Sequence, residues 1–416
     1  MAGNRAITGK NVKGLLEDFR KKHGRDEGSK RFKEHLDEAF EKKQLTPHDF
    51  SIRELFENVI ENGKAIVDSW SHPKSGWGVE LLEAGAGAVV GYSDFSNITN
   101  QLIITEVLDK MDNPDFVFTK EIESKQSAFQ DIEKIPGISR TGKTRSKIKE
   151  GDPYPRYGVS EDYIEAPAKV KDGGIIEITK EGVMGDRTGV LMERCGELGY
   201  DLAYSVEERV IDAMIDENAG ALGAYAGGHQ YTWKGTVYST YQTSGGWINF
   251  KASNPLTTDE TCVDALWQLL VAITDPYTSR PIVQYPNFLA VTPDKAFVAA
   301  RLLSTVEHRT APVGFDVDST ASVTVGPPAL GKVVGTLKLL SSPILKARLA
   351  TDTDWFMGNL RKSIRRYYNW EILTEQRGKG TEADFERDIV HQAKASVKDC
   401  VTTINPRYLG KSKVSA

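Results

Sequence analysis

Residues 143–149 read KTRSKIK, with a basic residue at every second position. Because successive side chains of a β-strand point to opposite faces, an extended conformation would put all four cations on one face. The opposite face would carry only Thr144, Ser146 and Ile148 and would be barely apolar. Such a strand cannot bury itself in the core of its own domain, so it needs an external surface, most economically another subunit.

The basic strand lies within residues 137–158, which hold six basic and two acidic side chains and which we call the basic ribbon. Residues 152–155, Asp-Pro-Tyr-Pro, predict a turn, and Tyr163 to Val170 and Gly174 to Thr179 predict returning strands. We interpret the segment as a long hairpin without a core of its own, and a disordered basic loop is the alternative. The candidate inter-subunit contact residues are Arg140, Lys143, Arg145, Lys147, Lys149 and Arg156.

A long amphipathic helix is predicted from Thr188 to Glu217, because apolar residues recur there at steps of three and four. At ~1.5 Å per residue it would span roughly 40 Å. Gly196 and Gly199 lie inside it, where each costs about 1 kcal/mol relative to Ala, and a close packing partner would explain them. The apolar stripe consists of Leu191, Cys195, Leu198, Leu202, Val206, Val210 and Met214.

The segment after this helix predicts mixed α/β structure. Residues 259–273 form an apolar helical pattern, and residues 288–291, Phe-Leu-Ala-Val, predict a strand. A helix should follow that strand directly, because Thr292 is a good N-cap and Pro293 suits the first helical position. Its apolar side chains would be Phe297 and Leu302.

Further elements are predicted on either side of that segment. Residues 320–349 predict several short strands, and residues 388–397 predict a closing strand with apolar side chains on one face. Residues 98–111 predict a short helix. Residues 1–45 carry 12 Lys or Arg and 8 Asp or Glu with thin apolar stripes, so they predict a helical extension and not an independent core.

Composition limits the possible functions. The chain has 416 residues, above the ~250–300 at which one hydrophobic core usually stops growing, so we expect two domains or one core with long extensions. It contains 53 Lys and Arg against 58 Asp and Glu, a net charge of -5. A mildly acidic chain is not a general nucleic-acid binder, although a local basic patch can still contact nucleic acid.

Cysteine and histidine patterns predict neither disulfides nor metal sites. Cys195, Cys262 and Cys400 lie far apart without a C-x-x-C pair, which predicts buried reduced thiols. The seven histidines show no metal-ligand spacing, so no metal or cofactor is expected. No secretory apolar region and no apolar run of ~20 residues is present, so no membrane contact is expected.

One motif points to a different class of protein. Residues 137–144, GISRTGKT, match G-x-x-x-x-G-K-[ST], which cradles phosphate when a buried strand precedes it and a helix follows. The preceding residues 128–136 are charged, and Gly151, Pro153 and Pro155 break any following helix. A basic turn at the tip of a long loop is therefore favoured over a P-loop nucleotide hydrolase. No other catalytic constellation is found, and the protein is not expected to be an enzyme.

The order of these elements resembles the major capsid proteins of tailed bacteriophages, which have the Hong Kong 97-type fold. Three local phrases are also similar to that family: residues 286–293 (PNFLAVTP), residues 352–359 (DTDWFMGN) and residues 385–389 (FERDI). The resemblance implies an α+β fold with an N-arm, an extended loop, a peripheral domain with a long spine helix, and an axial domain. The implied parts are residues 1–62 (charged helical N-terminal extension), 63–124 (N-arm and start of the peripheral domain), 125–182 (extended loop), 183–235 (peripheral domain with the spine helix), 236–377 (axial domain) and 378–416 (closing strand of the peripheral domain and C-terminus).

The resemblance also implies a function. Copies of the chain would form hexamers and pentamers that close into an icosahedral head around double-stranded DNA, bound without sequence preference. The implied partners are other copies, a portal, and scaffolding or decoration proteins, and the implied location is the virion, assembled in the host cytoplasm. Two alternatives share the fold: an encapsulin-like nanocompartment that encloses protein cargo, and a prophage-derived particle such as a gene transfer agent.

Overall fold

The structure is a computed structural model whose described residues fall into two compact units. The first unit lies within Met1–Asn113, Lys171–Ser205 and Glu371–Val397, and the second within Pro114–Val170, Val206–Trp370 and Lys398–Ala416. The described residues are 18–19, 21–23, 31, 102–127, 134–136, 150, 163–179, 181–182, 190–218, 221–222, 231–233, 236–244, 247–257, 260–274, 280–304, 308–310, 324–326, 337–349, 353–377 and 388–413.

Helices and strands alternate along the described residues. The helices are α1 (102–111), α2 (Val117–Glu121), α3 (Val190–Ile215), α4 (Thr261–Ala272), α5 (Pro293–Ser304), α6 (Pro343–Arg348) and α7 (Leu360–Ser363). The strands are β1 (Glu123–Gln126), β2 (Lys134–Pro136), β3 (Tyr163–Glu165), β4 (Val170–Thr179), β5 (Glu217–Asn218), β6 (Ala221–Leu222), β7 (Tyr231–Trp233), β8 (Thr236–Tyr238), β9 (Phe250–Ala252), β10 (Phe288–Val291), β11 (His308–Thr310), β12 (Thr324–Gly326), β13 (Lys338–Ser341), β14 (Trp355–Gly358), β15 (Ile364–Arg377), β16 (Ile389–Thr403) and β17 (Leu409–Lys413).

A mixed five-stranded sheet forms the centre of the second unit, in the order β13-β10-β14-β17-β9. Strand β14 is antiparallel to both neighbours, whereas β10 is parallel to β13 and β17 is parallel to β9. Every residue of β10 and β14 is buried, as expected of strands covered on both faces. Helix α4 packs closely on β17, since a side chain added at Gly410 would meet Leu266 and Leu270 at 3.2 and 3.1 Å.

Asn249 forms hydrogen bonds with several separate segments of this unit. Its side chain is fully buried, and its Nδ2 donates hydrogen bonds to the carbonyls of Thr240, Pro406 and Leu409 at 2.8–3.0 Å. Its Oδ1 accepts the backbone N–H of Gln242 at 2.8 Å. One amide side chain thus uses its own donors and acceptor on four backbone groups, which is why a polar residue is stable at this depth.

The second sheet has four strands in the order β1-β15-β16-β4. Strands β15 and β16 are long, with 14 and 15 residues, and β1 pairs with β15 in parallel. Strand β4 lies at one edge, and Gly173 lets it approach β16 closely, because an added Cβ would lie 2.7 Å from the carbonyl oxygen of Ala395.

In the first unit, α1 packs against α3 at the two glycines singled out in the sequence. A Cβ at Gly199 would lie 2.2 Å from the carbonyl oxygen of Val107, and a Cβ at Gly196 would lie 2.8 Å from Oε1 of Glu106. The expected close packing partner is therefore confirmed and is α1.

The long helix is confirmed, with ends at Val190 and Ile215 in place of Thr188 and Glu217. Five residues of the predicted stripe are buried, Leu198 is half-buried, and the side chain of Leu191 is outside the described residues. The buried five are Cys195, Leu202, Val206, Val210 and Met214. Asp216, the first residue after the helix, has a positive φ of 47° and accepts the N–H of Thr240 through its side chain.

Other predicted elements are also confirmed. The helix predicted at 259–273 spans Thr261–Ala272, and the strand at 288–291 leads into α5 at Pro293 as expected. The strand predicted at 174–179 is the second half of β4, and the described part of the helix predicted at 98–111 is helical. Of the helices predicted within residues 12–60, only residues 18–19, 21–23 and 31 are described, and they are helical.

Three expectations differ from the structure in detail. Phe297 does not contribute to the core but is 79% exposed on α5, whereas Leu302 is buried. The short strands predicted within residues 320–349 are present as β12 and β13, but residues 343–348 of that range are helical, because Ser342 caps the helix by accepting the N–H of Ile344 and a proline occupies the first position. The closing strand continues past Val397 to Thr403, because its buried polar residues find partners.

Candidate functional site

The basic ribbon lies between two short strands that pair with each other in antiparallel. Strand β2 pairs with β3, with Lys134 opposite Glu165 and Pro136 opposite Tyr163. The core of the second unit includes Ile135, in the middle of β2, and Ala166, directly after β3. The two ends of residues 137–162 therefore lie side by side, at Pro136 and Tyr163.

Lys169 holds the returning chain at the root of the ribbon. It is only 7% exposed, and its Nζ donates to Oδ1 of Asn369 at 2.7 Å and to Oγ of Ser127. Gln126 donates to the backbone carbonyl of Asn369 at 3.4 Å. A buried lysine is stable only when its donors are satisfied, so these contacts fix the position of the chain near the ribbon.

Strand β1 is held beside β15 by an ion pair near the same root. The guanidinium of Arg365 donates to the carboxylate of Glu123 and, at 3.5 Å, to the hydroxyl of Tyr367. Burial lowers the pKa of Arg365, but the hydrogen bonds with Tyr367 and Glu123 outweigh it and raise that pKa above its ordinary value. The arginine therefore keeps its charge at every pH at which proteins fold.

The six predicted contact residues of the ribbon lie outside the described residues. The structure describes the two ends between which they lie, and their role stays a prediction; they are Arg140, Lys143, Arg145, Lys147, Lys149 and Arg156.

The phosphate-loop alternative finds no support at its described flank. Residues 137–144 are outside the described residues, but β2 directly precedes them. That strand is three residues long and pairs antiparallel with β3, whereas a phosphate-binding loop follows a buried parallel strand.

A buried ionic triad joins α3 to the four-stranded sheet within the second unit. Asp399 on β16 is fully buried, with Nε of Arg366 2.6 Å from its Oδ2 and Nη2 of Arg209 2.6 Å from its Oδ1. Removing one partner of such a buried pair typically costs about 3–5 kcal/mol, because the other charge is left uncompensated. The sequence analysis missed this triad, although one signal was present: Asp399 interrupts an apolar row between Val397 and Val401.

The side chain of Glu207, also on α3, caps the N-terminus of α2. Its carboxylate accepts the N–H groups of Phe118 and Thr119 at 2.9 and 2.8 Å, in the first turn of α2. The N-terminal N–H groups of a helix have no partner within the helix and carry partial positive charge, so a buried carboxylate stabilises them. Glu207 has no exposed surface and is a structural carboxylate.

Lys411 is another buried charge that the sequence analysis missed. It has no exposed surface, its Nζ lies 3.6 Å from Oδ2 of Asp354, and it donates to the carbonyl of Ile215 at 3.4 Å. The rings of Tyr241 and Phe356 lie 5.7 and 5.3 Å from the same nitrogen, within the range of a cation–π contact.

An apolar patch is exposed on the second unit, and we define it as Trp267, Val271, Val283 and Tyr285. Val271 lies one turn after Trp267 on α4, and the rings of Trp267 and Tyr285 are 6.3 Å apart. The N–H of Ile282 donates to the carbonyl of Ile273, which holds the extended segment against the end of α4. Val283 and Tyr285 are 73% and 69% exposed, and clustered exposed apolar side chains of this kind commonly mark interaction surfaces.

The described residues contain few features of other functions. The three cysteines are buried and not joined by disulfides, as predicted. Within the described part of the chain, no group of His, Cys, Asp and Glu side chains could hold a metal ion. No described helix has the length and apolar character that crossing a membrane requires.

Comparison with known protein families identifies the chain. A family described as phage capsid protein matches residues 164–411, which is more than half of the sequence. The chain therefore belongs to the phage capsid protein family. Comparison with curated protein sequences returned no significant match.

Solved structures similar to the chain are also particle shells. The capsid of the cyanophage P-SCSP1u is 13% identical with a TM-score of 0.44, over 72% of this chain and 88% of that chain. The capsid of a native GTA particle is 8% identical with a TM-score of 0.45, over 73% and 91% of the two chains. An encapsulin from Synechococcus elongatus is 10% identical with a TM-score of 0.40, over 72% and 87%. The identification rests on the family match.

The chain is thus a structural capsid protein, and its copies assemble into the shell of a virion. The expected α+β fold is confirmed, since the described elements follow the order that the Hong Kong 97-type resemblance implied. That order is the ribbon root, the long helix α3, a mixed α/β segment and the closing strand β16.

Proposed function

We propose that copies of this protein form hexamers and pentamers that close into the icosahedral head of a tailed bacteriophage around double-stranded DNA. The observation that carries the proposal is the root of the basic ribbon. Residues 137–162 carry six cations, and their two ends are held side by side by one antiparallel pair, β2 and β3. Such a segment needs an outside surface, and a sister copy supplies one.

The apolar patch supports the same conclusion independently. Val271, Val283 and Tyr285 are exposed in the single chain. Apolar surface buried between copies supplies most of the free energy of association. Exposed ion pairs contribute only about 0–1 kcal/mol each, so the cations of the ribbon would set orientation and register more than affinity. Repetition of weak contacts over many copies then stabilises a closed shell.

The remaining parts of the proposal follow from the resemblance and the family. The protein acts without catalysis or cofactor, assembles in the host cytoplasm, and meets a portal and scaffolding or decoration proteins. The division into extension, arm, extended loop, peripheral domain and axial domain belongs to the same proposal, as do the contacts of the six ribbon cations.

The test compares the wild-type protein with Arg145→Glu/Lys147→Glu, which reverses two cations of the ribbon. We expect closed, uniform shells from the wild type in negative-stain microscopy, and a monomer of unchanged circular dichroism but few shells from the variant. Nuclease-resistant DNA in particles from infected cells would distinguish a phage head from a protein-filled compartment. Wild-type protein that forms no closed particles, or a variant that forms normal ones, would contradict the proposal.

A further inference from the structure

The apolar patch is built from α4 and from residues 281–285, which run back along the helix in the opposite direction. Pro281 forms an isolated β-bridge with Thr274, just beyond the end of α4. At the other end of the segment, the ring of Tyr285 lies 6.3 Å from the ring of Trp267, near the middle of the helix. The patch is therefore elongated along α4 and has two distinct ends.

The two ends of the patch carry charges of opposite sign. Asp264 is exposed on α4 one turn before Trp267, and it lies on the same side of the helix. Arg280 directly precedes Pro281 and is half-buried at the opposite end. Helix α4 rises about 12 Å between Asp264 and its last residue, Ala272, so the two charges are well separated. The patch is an apolar strip with a carboxylate at one end and a guanidinium at the other.

Neither end charge is neutralised by an ion pair within the part of the chain that the structure describes. The carboxylate of Asp264 accepts a hydrogen bond from Nε2 of Gln268 at 2.6 Å, which leaves its charge without a cationic partner. Water stabilises such charges in the isolated subunit, but a partner that covers the patch removes part of that water. The partner must therefore place a cation opposite Asp264 and an anion opposite Arg280.

A second copy of the chain meets this requirement. A two-fold axis that lies in the patch and bisects the line from Asp264 to Arg280 brings the Asp264 of each copy opposite the Arg280 of the other. The apolar side chains between the two charges then cover one another, with Trp267 and Tyr285 from both copies among them. Tryptophan and tyrosine are enriched at the centres of protein interfaces. The patch is thus complementary to itself in charge and in apolar character.

We propose that two copies of the protein dock patch to patch as a two-fold symmetric pair. The inference rests on the proposed function, in which the patch is a contact between copies, and it names the surface that the patch meets on the second copy: the same patch. The apolar side chains supply the attraction. The two contacts between Asp264 and Arg280 set the register of the pair, and they weaken as salt rises because they lie at its rim.

Charge reversal tests the register of the pair. In Asp264→Arg both ends of the patch are basic, and in Arg280→Asp both are acidic, so each variant brings like charges together twice. We expect each to dimerise at least tenfold more weakly than the wild type in sedimentation velocity of the soluble fraction that remains after particles are pelleted. Asp109→Arg, at an exposed position of α1, should dimerise as strongly as the wild type.

Mixing the two variants restores the complementary charges. The basic ends of Asp264→Arg meet the acidic ends of Arg280→Asp, so we expect an equimolar mixture to associate at least tenfold more strongly than either variant alone. The double variant Asp264→Arg/Arg280→Asp should also recover, since it exchanges the two charges. A mixture and a double variant that both stay as weak as the single variants would show that these charges do not face each other, and would overturn the inference.

A single cysteine near the middle of the patch tests its symmetry. Val271 lies between the two end charges, so the two-fold axis brings the Val271 side chains of both copies close together. The three native cysteines are buried and do not compete for a thiol reagent. We expect Val271→Cys to give a covalent dimer with a short bismaleimide, in the soluble fraction and in purified shells. Ala300→Cys, at an exposed position of α5, should give at least tenfold less.

The outcomes separate this inference from the proposed function. If the wild type forms no closed shells but Val271→Cys still crosslinks, the proposed function fails and the two-fold pair stands. If shells form and Val271→Cys gives no covalent dimer, the patch meets a different surface, so the inference is wrong and the shell function stands. A covalent adduct of Val271→Cys with a different protein, in particles from infected cells, would also overturn the inference.

Discussion

Two glycines on α3 determine how closely α1 can approach it. Each glycine costs helix stability, about 1 kcal/mol relative to Ala, and the sequence alone shows this cost without its compensation. The structure supplies the compensation, because the backbone of Val107 occupies the space that a Cβ at Gly199 would need. The position of the glycines was predictable, but the identity of the helix that meets them was not.

Replacing Gly199 with Ala tests whether the gain in helix propensity or the loss of close packing against α1 has the larger effect on stability. If the glycine had no packing role, Ala would stabilise the protein by about 1 kcal/mol through helix propensity. A Cβ 2.2 Å from a backbone oxygen cannot be accommodated by turning a side chain, so we expect net destabilisation of about 1–3 kcal/mol. Urea unfolding of the dissociated subunit measures the sign of the change in the free energy of unfolding. Arg194→Ala, at an exposed position of the same helix, should change stability by less than about 0.5 kcal/mol.

At the scale of elements, the sequence predicted best where apolar periodicity is unbroken. Helix α3 and the unit of β10 and α5 were found because their apolar spacing and capping residues agree. Strand β16 was ended too early, because Asp399 and Thr403 look like surface residues. They are buried by partners distant in sequence: Asp399 binds two arginines, and Thr403 donates to the carbonyl of Ala213. Sequence periodicity cannot show such partners.

The root of the ribbon offers a test at the same scale. Lys169→Met keeps the length of the side chain but leaves Asn369 and Ser127 without its hydrogen bonds. Losing such a partner for buried polar groups costs about 1–3 kcal/mol, so we expect local loosening around β3. Hydrogen exchange of the amides in residues 123–127 and 163–169 should accelerate, while those of α3 stay unchanged. Lys125→Met, at an exposed position of β1, is the control; equal effects of both variants would show that Lys169 is not a specific anchor.

At the scale of the whole molecule, the sequence predicted the class of protein, but it did not predict which side chains are exposed at the surface. The order of ribbon, long helix and closing strand was enough for the resemblance, and the family match agrees with it. The apolar patch was not predicted, because apolar residues such as Val283 and Tyr285 look like core residues until the fold shows them exposed. The pairing of β17 with β9 and β14 was also beyond prediction, since it joins segments more than 50 residues apart.

The apolar patch leads to a prediction at this scale. Val283→Glu/Tyr285→Glu changes two side chains that contribute little to the core, so the free energy of unfolding of the subunit should change by less than about 0.5 kcal/mol per site. Shell yield should nevertheless fall sharply, because the carboxylates would have to be desolvated at a contact between copies. Particle counts from negative-stain images measure the yield. Ala300→Glu, an exposed position on α5, should assemble normally, and unimpaired assembly of the double variant would exclude the patch as a contact.

The placement of β17 affects when a subunit becomes able to join a particle. Residues 409–413 fill the gap between β14 and β9, yet every other strand of that sheet precedes them in the chain. On a ribosome-bound chain, Trp355 to Gly358 therefore pair with β10 on one side only, and their other edge stays unpaired until translation has passed Lys413. Prematurely terminated products cannot close the sheet, and the growing container is built only from finished polypeptides.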